Sequence, residues 1–120
     1  MGLEIKVLQV VVALGIFNVW ILRRGKATGW RGGAAKNMEE EFEVYGLPTW
    51  SVQVIGFLKL LFALCLVAGL WLSELTRPAA VGLAILMSGA ILMHLKVKDG
   101  IKKSLPAITV LALCLIIALA

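Results

Sequence analysis

Four long apolar stretches, 5–22, 50–72, 78–95 and 105–120, leave this chain few ways to fold. Each is close to the length, about 20 residues, that carries a helix across a hydrocarbon layer about 30 Å thick. Backbone amides in lipid have no water to bond, so they satisfy one another inside a helix or a closed barrel. Continuous runs of this length predict helices. The fold class expected is therefore all-α: a four-transmembrane-helix bundle forming one integral membrane domain over 1–120. Composition agrees. The chain is 61% hydrophobic and 16% charged, against about 45–50% and about 25% in a soluble domain, which leaves little for an independent soluble unit.

The charge pattern separates partners. Net charge is +5, but the basic residues cluster in connectors. Arg23, Arg24, Lys26, Arg31 and Lys36 lie between spans one and two. Lys96, Lys98, Lys102 and Lys103 lie between spans three and four. Basic residues beside apolar helices set orientation and meet anionic headgroups; no nucleic-acid partner is expected. The lipid bilayer is. Nine of twelve Lys and Arg residues fall on one side of a four-span topology. The rule that positive loops stay inside then puts connectors one and three in the cytoplasm and both termini outside. No small-x-small cleavage pattern follows the first run; Arg23 and Arg24 come instead, as after a retained anchor.

Connector one carries a further helix signal. Asn37 can cap it, with Glu40 three residues on as the reciprocal partner of a capping box. Gly46 suits the left-handed position after the last turn, and Pro48 blocks continuation. Met38, Phe42 and Tyr45 share one face, and the glutamates fall in the first turn, where the helix dipole favours them. The pattern predicts a short amphipathic interfacial helix over Met38–Tyr45. Trp30, Trp50, Trp71 and Tyr45 are the aromatic residues placed to anchor at headgroup level. Pro78 suits the first turn of span three. Ala80, Ala84 and Ser88, and separately Gly82 and Gly89, form small-residue stripes of the kind that let membrane helices approach closely.

Polar residues inside spans are the candidate site. Lys59 is the sharpest, because an ammonium deep in a bilayer costs about 2.5–3.5 kcal/mol on insertion scales. Gln53, Gly56, Lys59 and Ala63 are expected to share one face of span two, and Asn18, Gln53, Lys59, Ser88 and His94 all fall in one leaflet. They are candidates to converge on a headgroup, quinone or small-ligand pocket; the plainer reading is interhelical hydrogen bonding with a snorkelling lysine. Cys65 and Cys114 fall in the other half, suited to packing and, less directly, to thiol redox chemistry. No metal-ligand spacing, nucleophile elbow or phosphate loop is present in the sequence, so no catalytic residue is assigned.

One resemblance sharpens the reading. Phe42 with Gly46-Leu47-Pro48, then Ile55-Gly56-Phe57-Leu58-Lys59, Gly89-Ala90 with His94, Asp99-Gly100 and Leu105-Pro106 occur in the order and spacing of the DoxX-like family. The stretch from Met38 onward resembles that family, and span one fits it in length and position. The resemblance implies a four-helix bundle, usually in a bacterial inner membrane. The family takes its name from a subunit linked to thiosulfate:quinone oxidation, and other members resemble accessory proteins of oxidative-stress systems or chaperones. Members with a carboxylate at the position of Lys59 form another branch, which separates this chain from carboxylate-based mechanisms. The leading expectation is a non-enzymatic accessory or assembly subunit in a homo-oligomer or larger complex. The alternatives are a quinone-linked redox component, with quinone as cofactor, and a small-molecule or lipid-binding transporter-like protein.

Overall fold

The computed structural model describes residues 2–26 and 31–120. It is all-helical among those residues. Helix α1 spans Leu3–Phe17 and runs on through a π-helical turn, Asn18–Leu22. A short helix α2 follows at Met38–Val44. Then come α3 (Trp50–Ala68), a 3-10 turn (Ser73–Leu75), α4 (Thr76–Lys96) and α5 (Ile101–Leu119). The four long helices are long and apolar enough to cross a membrane, and no more than a third of each is buried in the fold. Large apolar side chains such as Leu14, Phe57, Ile85 and Ile116 face outward. A helix apolar all round needs an apolar solvent, so the chain is a multi-pass integral membrane protein. Its longest dimension, 40 Å, matches a hydrocarbon core with part of its headgroup layers.

The helices pack as a square. α4 lies most extensively on α5, α3 touches both α1 and α4, and α1 closes against α5. The core includes Val12, Ile16, Val52, Leu66, Leu83, Met87 and Ile117. Small residues set the closest approaches. Ala80 and Ala84 are buried. A Cβ at Gly82 would strike the ring of Phe62, and one at Gly56 would meet the ring of Trp20 at 2.8 Å. Gly89 faces open space, and Ser88 is exposed, bonded to the carbonyl of Ala84 one turn back.

Helix ends differ from the sequence expectation in physical detail. α3 stops at Ala68 with Gly69 as its cap, short of residue 72. α4 starts at Thr76, so Pro78 is its third residue, still within the turn whose N–H groups lack helical partners. α5 starts four residues early, at Ile101, because Pro106 is tolerated as its sixth residue. Pro106 and the region around Lys102, whose carbonyl loses its helical donor, are exposed.

Candidate functional site

The site grows out of α2. Asn37 is extended, and its Oδ1 accepts from the Glu40 N–H at 2.8 Å, while Asn37 Nδ2 donates to Glu40 Oε2 at 2.9 Å. The expected reciprocal pair is there, with the Asn37 amide rather than its backbone N–H as the second donor. At the other end Gly46 has φ 78°. The Leu47 N–H reaches the Phe42 carbonyl and the Gly46 N–H reaches the Glu43 carbonyl, the double bond of a Schellman ending. Lys96, the last residue of α4, donates to the Tyr45 carbonyl at 2.8 Å. Two spans of chain are thereby tied through one short helix.

α2 turns its apolar face inward. Trp20, Phe42, Tyr45 and His94 form a run of ring contacts, with centroids 6.1, 6.2 and 5.7 Å apart. Tyr45 was expected as a headgroup anchor. It is instead 4% exposed, because its spacing from Met38 and Phe42 puts it on the face that packs on the bundle. Its hydroxyl donates to Glu41 Oε1 at 2.7 Å. Burial first, then the Glu41 charge, raises its pKa far above the ordinary phenol range, so the proton stays. His94 Nε2 lies 3.4 Å from that hydroxyl oxygen, and Nδ1 lies 2.8 Å from Asp99 Oδ2. A carboxylate accepts at one nitrogen, and at the other the phenolic hydrogen is already engaged by Glu41.

Two connectors meet on this chain of groups. Asp99 Oδ1 accepts from the Gly33 N–H at 3.2 Å, and Lys103 bonds the Gly33 carbonyl. Burial alone would raise the Asp99 carboxyl. The hydrogen bonds from His94 and Gly33 and the Lys103 charge outweigh it and hold the carboxyl below its ordinary value. Arg31 is buried with its guanidinium shared among the Arg23, Arg24 and Lys26 carbonyls and Glu41 Oε2, the last at 3.1 Å. It gathers the backbone leaving α1 and the carboxylate on α2 into one knot. In the sequence Arg31 is one of five basic residues between spans one and two; burial against carbonyls leaves no periodic trace that singles it out.

Lys59 lies one layer deeper. Its side chain is 9% exposed, and its Nζ sits 5.2 Å from the centroid of Trp20, a cation–π distance worth about 0.5–2 kcal/mol. Gly56, one turn before it, leaves room for that indole. Other polar candidates do not join it. Gln53 is exposed, since six residues around a helix carry it far from the face of Lys59. Ser88 faces outward, and half-buried Asn18 accepts from Arg23 at 3.4 Å. Cys65 and Cys114 are free thiols, Cys114 fully buried in α5. Cys65 stands about 9 Å further along α3 than Lys59. Trp50 and Trp71 are 65% and 78% exposed near the two ends of α3. Trp30 lies outside the described residues.

A second polar knot, unforeseen in the sequence, sits toward the other end. Gln9 is buried and donates to the Leu66 carbonyl at 2.9 Å and to Thr76 Oγ1 at 3.2 Å; Thr76 in turn donates to the Gly69 carbonyl. Among the described residues no group of His, Cys, Asp and Glu has the spacing to hold a metal.

The family model described as the DoxX-like family matches residues 7–117. The chain belongs to the DoxX-like family. The match extends the resemblance read from Met38 onward back through α1. No curated protein and no solved structure matches the chain. In this DoxX-like protein the segment Ile55–Lys59 and the residues His94 and Asp99, which carried the resemblance, lie in or beside the aromatic and charged cluster just described.

Proposed function

We propose that this DoxX-like protein is a non-enzymatic accessory or assembly subunit, packing in a homo-oligomer or in a larger membrane complex. The observation that carries the reading is the way connectors one and three are locked together. Asp99, Lys103 and Lys96 each bond backbone of the first connector, which Arg31 knots internally. Exposed Arg23, Lys26, Lys36, Lys98 and Lys102 are carried on that frame, giving a fixed charged face rather than loose loops. Such a face suits docking against a partner, and the open small-residue surface at Gly89 suits close helix contact in lipid. We place the face in the cytoplasm of a bacterial inner membrane, with both termini outside. Native mass spectrometry of protein extracted in mild detergent tests the reading. A partner or a defined oligomer is expected; a strict monomer without partner overturns it. Labelling of a Lys36→Cys variant from either side of sealed vesicles tests the orientation.

A quinone-linked role is the second reading, favoured by the aromatic run beside Lys59 and His94. It requires a quinone retained by the purified protein and, with an added dithiol as the electron donor, Cys65→Ala with Cys114→Ala decides whether the protein's thiols relay electrons to it.

A further inference from the structure

Lys59 is held in an unusual position. It lies nine residues, about 13 Å, into α3 from Trp50, close to the middle of a hydrocarbon core. Its side chain is nine-tenths buried. Among the described residues it makes no hydrogen bond or ion pair, and the group it faces is the Trp20 ring. Glu41 is the carboxylate whose field reaches it, but the two Glu41 oxygens are already engaged, one by Arg31 and one by Tyr45. His94 and Asp99 are engaged with each other. No fully enclosed side-chain nitrogen or oxygen among the described residues lacks a partner, so the Lys59 tip is not sealed. An ammonium in lipid with an open tip is a donor looking for an anionic oxygen.

Arg31 shows what the same fold does with a cation meant to be purely internal: it surrounds the guanidinium with carbonyls and a carboxylate. Lys59 has a flat indole instead. That platform attracts the cation without occupying its hydrogens. Gly56 keeps the platform in place, since any side chain there would push the indole away.

We propose that Lys59 and Trp20 form a binding site for the anionic head of an amphiphile, a carboxylate or a phosphate, with the apolar tail lying in the bilayer. The ammonium donates to the head oxygens, and the indole face covers the ammonium from the other side. This goes beyond the accessory role: a subunit without the site can still dock, and a monomer can still hold the ligand.

The test isolates one indole. Trp30, Trp50 and Trp71 are replaced by Phe, so that Trp20 alone emits, and the protein is placed in nanodiscs of zwitterionic phosphatidylcholine. Three bromine-labelled quenchers are titrated: a fatty acid, phosphatidylglycerol and phosphatidylcholine. Saturable quenching by the fatty acid or by phosphatidylglycerol, at least about tenfold stronger than by phosphatidylcholine, is expected, as for one charge-assisted contact. The fatty acid alone assigns a free carboxylate, and phosphatidylglycerol alone assigns a lipid phosphate. Lys59→Met should lose that preference, and Lys59→Arg should keep it. Equal quenching by all three, or a preference unchanged in Lys59→Met, overturns the proposal. Native mass spectrometry of Lys59→Met gives a readout independent of emission: an acidic amphiphile retained by the parent and lost from the variant is expected, and equal retention counts against the site.

Discussion

The two ends of the bundle solve one problem in two ways. Each must close a gap between helices without stranding polar groups in lipid. At the end near Gly69 the closure is neutral: Gln9, Thr76 and two carbonyls share hydrogen bonds across α1, α3 and α4. At the other end it is ionic, built from Arg31, Glu41, Asp99 and Lys103, with His94 hydrogen-bonded to Asp99. Neutral amides and hydroxyls cost little to keep dry, and each returns little. Charges return more, but only while every partner stays in place. The neutral end is therefore expected to tolerate damage and the ionic end to fail as a unit.

The sharpest way to break this contrast is Arg31→Met. Removing the guanidinium leaves the Glu41 carboxylate and three carbonyls short of a donor, and a loss of about 3–5 kcal/mol is expected. Thermal unfolding in detergent measures it; a loss under about 1 kcal/mol would erase the distinction between the ends. Acid comes next. The Asp99 carboxyl is held below its ordinary value, so its contribution is complete above an unfolded value of about 3.9 and fades as pH falls through that value and then the folded one. The Gly33 amide, which donates to Asp99, should lose protection against deuterium exchange, relative to its intrinsic rate, as pH falls through the folded value, while amides around Thr76 keep theirs. Asp99→Ala, which removes the acceptor, should show the lost protection at neutral pH already.

Gly46→Ala probes the link between α2 and the bundle. At φ 78° a side chain is strained, and a loss of about 1–2 kcal/mol is expected; a neutral result would mean the Schellman ending relaxes without cost. Smallest is Gln9→Leu. Polar contacts of this kind average about 0.6 kcal/mol in membrane helices, so the midpoint of unfolding should barely move. A drop as large as that of Arg31→Met would make the neutral closure the stronger of the two.

What could be read in advance followed range. Asn37, Glu40 and Gly46 act on backbone within a few residues of themselves, so their roles were visible along the chain, and the spans were visible because lipid enforces length. Gln9 was invisible because its partner, Thr76, is 67 residues away, and a lone glutamine in an apolar run announces nothing. Arg31 was hidden in a glycine-rich connector. Depth groups Ser88 with Lys59 but says nothing of azimuth, and the face expected to carry both Gln53 and Lys59 does not exist, because six residues turn a helix about 120° away; Gln53 and Ser88 both turn outward. Tyr45 carried the right face and the wrong environment: its position on the apolar side of α2 points it into the bundle, where Glu41 takes its hydrogen.

The charge of the molecule is as unevenly shared as its bonding. Connectors one and three hold nine Lys and Arg residues against five carboxylates, whereas Lys6 and Arg77 at the opposite end are balanced by Glu4 and Glu74. Any voltage across the bilayer therefore acts on a net four charges fixed to a single pole. Inverting the molecule against 100 mV would take roughly 9 kcal/mol from the field alone. An energised membrane thus acts as a compass, favouring the orientation that puts this pole on its negative side.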